Sequence, residues 1–173
     1  IILNKQEKKN YSHIILPGVG NFGKLSKNLF ELGFKDYLEG AKINKRFILG
    51  ICVGMQLLFD KSEESEDKKG IGLLTGEIQK FKFEKDKNFP LPHVGFSKVF
   101  HTNSKIWKDI PNKSYFYFIH SFRLKNASNL TSIATSTYGE EFMSFIEKDN
   151  IFGAQFHPEK SHKVGLKLIN NFL

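Results

Sequence analysis

A short apolar run that breaks at two glycines constrains this chain more than any other stretch. Residues Phe47 to Ile51 are almost all apolar, as in a strand buried on both faces of a parallel sheet. The run breaks at Gly50-Ile-Cys52-Val-Gly54, and a second apolar segment follows that is long enough for one or two helical turns. Small residues two positions either side of a nucleophile are typical of a nucleophile elbow, a sharp strand-to-helix turn. The pattern therefore predicts an α/β fold with Cys52 raised at the end of a central strand.

Cys52 can be interpreted in two ways. The N–H groups at the start of the following helix, and its positive dipole end, would face the sulfur and favour the reactive thiolate. However, Cys52 is the only cysteine in the chain, and lone cysteines are often small buried apolar residues. The elbow alone leaves both interpretations open.

A second stretch, near the C-terminus, supports the nucleophile. The strand-like run that begins at Ile151 ends in His157-Pro158-Glu159. A base beside a thiol needs a third group that fixes its tautomer and orientation. His157 and Glu159 can supply both from one loop, because Pro158 restricts φ between them. Together the two stretches predict that these residues form a triad with Cys52.

The composition excludes several classes of protein. A length of 173 residues fits one domain, and 25% charged residues is ordinary for a globular protein. We expect no membrane partner and a cytoplasmic location, because no apolar run could cross a bilayer and no signal peptide stands at the start. The net charge of +8 comes from scattered lysines, so we expect no nucleic-acid partner. One cysteine fits a reducing compartment and, with histidines that lack ligand spacing, predicts no metal.

Five motifs, in this order along the chain, resemble those of class I (triad-type) glutamine amidotransferases. They are Leu16-Pro-Gly-Val-Gly-Asn-Phe-Gly23, Gly50-Ile-Cys-Val-Gly-Met-Gln56, Pro92-His-Val-Gly-Phe96, Tyr117-Phe-Ile-His-Ser-Phe122 and Gln155-Phe-His-Pro-Glu159. Within that family, the local detail is most similar to glutaminase subunits of imidazole glycerol phosphate synthase, from histidine biosynthesis.

The resemblance implies a fold and an activity. The fold would be a mostly parallel central sheet flanked by helices, with some antiparallel strands. The triad would hydrolyse L-glutamine to glutamate and ammonia without a cofactor. The ammonia would pass to a separate (βα)8 cyclase, or synthase, subunit in a heterodimer, which makes imidazole glycerol phosphate and aminoimidazole carboxamide ribotide.

The resemblance also assigns roles to residues outside the triad. Oxyanion-hole N–H groups would come from Gly18 or Val19 and from Val53. Contacts with the substrate glutamine would come from Gly20, Gly54, Gln56, His120, Ser121 and Phe122. Tyr117 would face the synthase. The residues themselves also allow plainer roles, in which Gln56 is a buried amide bonded to a carbonyl and His120 is a hydrogen-bonded structural residue.

The chain departs from the usual family pattern at Val94 and Phe96, where methionine and tryptophan are common, and at Phe122, where tyrosine is common. A paralogous amidotransferase group in bacterial surface-sugar (O-antigen-type) biosynthesis is also similar, so supplying ammonia to that pathway is the alternative. A stand-alone triad hydrolase and a catalytically dead binding module are further alternatives. The intact triad residues argue against the last.

The remaining patterns predict the order of elements. Family members open with a βα unit before the strand-like run Ile1–Leu3, so we expect residues 1–173 to form a single domain that lacks its first βα unit. The other predicted elements are a helix-compatible stretch at 5–11, helices at 22–32, 34–41 and 164–173, strands at 13–16, 77–83, 93–100 and 114–122, a hairpin of 132–138 with 142–147, and loops at 61–69 and 84–91.

Overall fold

The fold is seen in a computed structural model that describes residues 10–83 and 89–173. Three sequence predictions lie wholly or mostly outside those residues: the run Ile1–Leu3, the stretch 5–11 and the loop 84–91. The described residues form a mixed β-sheet, a separate two-stranded ribbon and four α-helices.

Within the described residues, eleven β-strands follow one another along the chain. They are β1 (His13–Gly18), β2 (Phe47–Cys52), β3 (Lys61–Ser62), β4 (Gly76–Lys80), β5 (His93–Lys98), β6 (Phe100–His101), β7 (Tyr115–His120), β8 (Phe122–Ala127), β9 (Ser132–Tyr138), β10 (Glu140–Lys148) and β11 (Ile151–Ala154). The sheet has the order β1-β2-β11-β10-β8-β4-β3, with β9 also beside β10, and β6 beside β9. The other two strands pair in an antiparallel β5–β7 ribbon.

The sheet is parallel at its two edges and antiparallel between them. At one edge β1, β2 and β11 are parallel to one another, and at the other edge β3 is parallel to β4. The strands between them, and β6 with β9, pair antiparallel. The antiparallel share is larger than the sequence indicated. The additional antiparallel pairs are those of β10 with β11 and with β8, and of β4 with β8. The predicted hairpin of β9 and β10 is confirmed and turns at Gly139 with φ 70°.

The helices confirm the predicted α/β class. They are α1 (Phe22–Glu31), α2 (Phe34–Ile43), α3 (Val53–Leu57) and α4 (His162–Phe172). The side chain of Asn21 caps α1 by accepting a hydrogen bond from the Lys24 N–H. Gly33, with φ 66°, separates α1 from α2, where the apolar pattern is interrupted. No helix of the described chain is long and apolar enough to cross a membrane.

The structure corrects two of the predicted elements. The aromatic run 114–122 is not one strand, because β7 ends at His120 and β8 starts at Phe122 and joins the central sheet. The stretch 61–69 is not wholly an exposed loop, because β3 pairs with β4 and Ser62 is buried.

The core is dominated by large apolar side chains with almost no exposed surface, among them Phe22, Phe59, Phe116, Phe118, Phe145 and Phe156.

Candidate active site

Cys52 lies at the turn that joins β2 to α3, as the elbow pattern predicts. Its φ of 54° and ψ of −114° are rare for a residue other than glycine, so the surrounding structure holds this backbone under strain. In the parallel pairing of β1 with β2, Cys52 lies opposite Gly18, where both strands end. Ligands of α/β sheets usually bind at such carboxyl ends. A merely apolar cysteine needs neither the strained turn nor this position, so the geometry supports a nucleophile.

Three glycines make the turn possible by close backbone contact. A Cβ atom at Gly54 would lie 1.9 Å from the carbonyl oxygen of Leu16, and one at Gly50 would lie 2.7 Å from the Met55 nitrogen. A Cβ atom at Gly18 would lie 2.5 Å from the Gly54 nitrogen. A side chain at Gly18 or Gly54 would push β1 away from the elbow, and one at Gly50 would clash with the first turn of α3.

His157 is held by main-chain and side-chain hydrogen bonds just beyond β11. Its N–H donates to the Tyr117 carbonyl at 2.8 Å, and its own carbonyl accepts from the Ser161 hydroxyl at 2.6 Å. Its Nδ1–H donates to Glu159 Oε1 at 2.6 Å. The side chain is only 1% exposed, and Nε2 has no hydrogen-bond partner in the described structure. Glu159 therefore fixes the ring and leaves Nε2 for a reacting group.

The protonation of His157 is set by its neighbours in the triad. Burial alone would lower its pKa, but Cys52 and Glu159 stabilise the imidazolium and raise the pKa of His157 to about 9. Burial would raise the pKa of Glu159, yet its hydrogen bond to His157 lowers it below the usual value. Of the three predicted triad residues, His157 and Glu159 are hydrogen-bonded, and Cys52 lies close enough to His157 to help raise its pKa.

The residues expected to form an oxyanion hole surround the elbow. Val53 opens α3 directly after the nucleophile, and Gly18 lies beside Cys52 at the end of β1. Val19 and Gly20 continue from there; the Val19 side chain is 71% exposed, and Gly20 has φ 124°. The start of this loop is therefore opposite Cys52 in the sheet, at the strand end where N–H donors for a developing oxyanion are needed.

Gln56 is buried, and its amide is committed to the protein. Its Nε2 donates to the Phe122 carbonyl and to Gln155 Oε1, both at 3.1 Å. These contacts fit the plainer of the two roles, a buried amide bonded to a carbonyl, and the contact of Gln56 with the substrate glutamine stays a prediction. Gln155 in turn points its Nε2 at Cys52 Sγ, 3.8 Å away. Sequence reasoning missed Gln155, although a polar residue inside an apolar run was a usable signal.

His120 belongs to a buried chain of neutral side chains. Its Nδ1–H donates to the Phe122 carbonyl at 2.8 Å, and its Nε2 lies 3.3 Å from His93 Nδ1. The other nitrogen of His93 lies 2.9 Å from the Ser97 hydroxyl. Burial lowers the pKa of His93 to about 4 and that of His120 to about 3. These contacts fit the structural role for His120, and its contact with the substrate glutamine stays a prediction. His93 is a second residue that sequence reasoning missed.

Ser121 and Phe122 are half-buried at the junction of β7 and β8. The carbonyl of Ser121 accepts from the Phe81 N–H at 3.1 Å, which ties the junction to the end of β4. Phe122 contributes its carbonyl to the two hydrogen bonds described above. Within residues 10–83 and 89–173, no group of His, Cys, Asp and Glu side chains has the arrangement of a metal site.

The β5–β7 ribbon has a buried inner face and an outer face that is largely exposed. Its outer face, as the term is used below, consists of three cross-strand pairs: Val94 with Ile119, Phe96 with Tyr117, and Lys98 with Tyr115. The Phe96 and Tyr117 rings are 5.5 Å apart, and Lys160 Nζ lies 5.8 Å from the Tyr117 ring. Tyr117 thus lies on a largely exposed aromatic surface, and its contact with a partner stays a prediction.

Comparison with known proteins places this geometry in a family. The sequence model of the family described as glutamine amidotransferase class-I matches residues 1–173. The imidazole glycerol phosphate synthase subunit HisH 1 of Campylobacter jejuni strain RM1221 is 42% identical over 175 residues, covering 100% of this chain and 86% of that protein. The imidazole glycerol phosphate synthase subunit HisH of Methanocaldococcus jannaschii is 45% identical over 176 residues, covering 98% and 84%.

Solved structures agree on the fold. A crystal structure of a glutamine amidotransferase matches with a TM-score of 0.74 at 14% identity, covering 99% of this chain and 84% of that one. A glutamine amidotransferase from Thermotoga maritima matches with a TM-score of 0.62 at 18% identity, covering 94% and 63%. At these identities the likeness shows a shared architecture.

Proposed function

Because this chain belongs to the class I glutamine amidotransferase family, we propose that it is the glutaminase subunit of an imidazole glycerol phosphate synthase. The observation that carries the proposal is the elbow cysteine, Cys52, beside a buried histidine that Glu159 orients. The relatives' names favour this pathway over surface-sugar biosynthesis.

The first half of the reaction uses the charged form of His157. The Cys52 thiolate attacks the carbonyl carbon of the glutamine side-chain amide, and a C–S bond forms. The N–H groups of Val53 and of the Gly18–Val19 loop hold the negative charge that develops on the oxygen. His157 Nε2–H then donates its proton to the amide nitrogen, so ammonia leaves and a glutamyl thioester remains.

The second half regenerates the enzyme. Neutral His157 accepts a proton from water through Nε2, and the resulting hydroxide attacks the thioester carbonyl. The C–S bond breaks, and Cys52 returns as the thiolate beside imidazolium. The new side-chain carboxylic acid loses its proton to water, and glutamate leaves. Glu159 keeps Nδ1 protonated throughout, so that Nε2 is always the nitrogen that exchanges protons with the substrate.

We assign the outer face of the β5–β7 ribbon to the (βα)8 synthase subunit that receives the ammonia. Val94, Phe96 and Tyr115 are each about half exposed there, and exposed aromatic side chains are enriched in protein interfaces. The face is also continuous with the triad, because the Tyr117 carbonyl holds the His157 N–H. Lys98 belongs to the face and Lys160 lies beside it, so an acidic rim on the synthase would complement the ribbon.

Reconstitution with the cognate synthase subunit tests the assignment. We expect the isolated chain to hydrolyse glutamine slowly and the complex, with the synthase substrate bound, to hydrolyse it faster. Cys52→Ala should abolish glutamine-dependent product formation while added ammonium still supports it. If Cys52→Ala still hydrolysed glutamine, Cys52 would not be the nucleophile. Full activity of the isolated chain would instead favour a stand-alone hydrolase.

A further inference from the structure

We propose that Gln155 donates an amide hydrogen bond to the Cys52 sulfur, and that Gln56 locks the Gln155 amide in the orientation that makes this possible. The inference rests on the proposed function, in which Cys52 is the nucleophile. It gives a catalytic role to Gln155, which touches the reacting atom, and a positioning role to Gln56, which acts through Gln155.

The orientation of Gln56 is decided by a group that can only accept. The main-chain carbonyl of Phe122 receives the Gln56 side chain at 3.1 Å and the His120 ring at 2.8 Å. A carbonyl oxygen has no proton to give, so Gln56 must present its NH2 group and His120 its Nδ1–H. The Phe122 carbonyl therefore fixes the direction of both side chains.

That direction is passed on to Gln155. The second N–H of Gln56 reaches the Gln155 side chain at 3.1 Å, so the atom of Gln155 that faces it must be the oxygen. The NH2 group of Gln155 is then left facing Cys52 Sγ at 3.8 Å. Gln56 is 2% exposed and Gln155 0% exposed, so a reversed amide would leave buried donors facing one another without solvent. The arrangement is therefore locked.

The Gln155 donor matters most when the sulfur is charged. Sγ also lies 3.8 Å from the Ile119 carbonyl, to which a neutral thiol can donate. That carbonyl cannot donate a hydrogen bond to a thiolate. The Gln155 N–H, in contrast, bonds more strongly to the charged sulfur than to the neutral thiol. Among the described ionisable groups, His157 interacts with Cys52, Glu159 bonds to His157, and the neutral ring of His120 follows Ile119 in β7. Gln155 adds a neutral donor that stays in place when His157 gives up its proton.

The test uses the fact that Cys52 is the only cysteine, so alkylation by iodoacetamide reports on this sulfur alone. Gln155→Met removes the donor at similar length. We expect the pH midpoint of alkylation to rise by about one unit, and glutamine kcat in the complex to fall about tenfold with little change in KM. Gln56→Met, which leaves Gln155 present but free to turn, should shift the midpoint the same way by less. Gln79→Met, the same substitution on β4, is the control and should change neither.

Several outcomes would overturn the inference. A folded Gln155→Met protein with an unchanged alkylation profile would do so, even if glutaminase activity were lost, because the residue would then be purely structural. If Gln155→Met fails to fold, an unchanged profile in Gln56→Met would also overturn it. A shifted midpoint would support the hydrogen bond even in a protein that proves inactive on glutamine. The inference and the proposed function can thus fail separately.

Discussion

The main-chain N–H of His157 donates a 2.8 Å hydrogen bond to the carbonyl of Tyr117, which attaches the triad base directly to the β5–β7 ribbon. The Ser161 hydroxyl strengthens the link, since it accepts from the Tyr117 N–H at 3.0 Å and donates to the His157 carbonyl at 2.6 Å. The outer face of the ribbon and the catalytic base are thus connected through the main-chain groups of Tyr117 and His157. A partner that binds the outer face would contact the support of the catalytic histidine.

Removing a ring from the outer face should weaken the complex with the synthase. We expect Phe96→Ala to reduce affinity about tenfold or more, because aromatic anchors contribute most to interfaces. Titration calorimetry with the synthase subunit measures the change. Ile43→Ala is the control, since Ile43 is 78% exposed. It ends α2 just before β2 starts, at the opposite end of that strand from Cys52. Equal losses in both variants would place the interface elsewhere.

Neutralising Glu159 should shift the pH profile of the reaction. Glu159→Gln can still accept from Nδ1–H but removes the charge that helps to raise the pKa of His157 to about 9. The high-pH limb of kcat/KM should therefore move to lower pH, by about one unit or less because Glu159 is partly solvated. The rate should fall less than in His157→Ala. An unmoved limb would mean that Cys52 alone sets the protonation of His157.

The two buried neutral histidines should make the fold sensitive to mild acid. Burial lowers the pKa of His93 to about 4 and of His120 to about 3, whereas both titrate near pH 6.5 in an unfolded chain. Between about pH 6.5 and 4 the unfolded chain binds protons that the folded chain refuses, so stability falls as pH is lowered through this window. The raised pKa of His157 acts in the other direction, and its contribution is lost as pH rises through about 9.

Thermal unfolding at a series of pH values checks this. The midpoint of the wild-type chain should drop by several degrees between pH 6.5 and 4.5, and His93→Gln should flatten that slope. His162→Gln, the same change at an exposed histidine, should keep the wild-type slope. A slope that does not change in His93→Gln would show that carboxylates elsewhere cause the acid sensitivity.

Whether a feature of the fold or of the candidate site can be predicted from the sequence depends on whether neighbouring residues alone determine it. The elbow and the His157–Glu159 pair are predictable because each is written within a few consecutive residues that also set the backbone geometry. The pairing of Gln56 with Gln155 is not, since β2 and β11 must first become neighbours in the sheet. The end of β7 at His120 cannot be predicted from the sequence for a similar reason. The aromatic pattern of the run continues, and only the different partners of β7 and β8 end one strand and start the next.

The packing of the elbow leads to a last pair of predictions, on two glycines with opposite surroundings. Gly54→Ala would place a Cβ atom 1.9 Å from the Leu16 carbonyl oxygen, which is rigid main chain in β1. We expect the free energy of unfolding to fall by about 1–3 kcal/mol, and glutaminase activity to fall with it because β1 carries the Gly18 side of the oxyanion hole. Denaturant titration of the purified chain gives the first number.

Gly40→Ala is the control for the same added methyl group. Gly40 lies within α2, and a Cβ atom there would meet no atom within 4 Å. Alanine favours a helix over glycine by about 0.5–1 kcal/mol, so this variant should be slightly more stable than wild type and fully active. If Gly54→Ala were as stable as Gly40→Ala, β1 could retreat from the elbow without cost. The close contact between Leu16 and Gly54 would then not be what holds Cys52 in its strained turn.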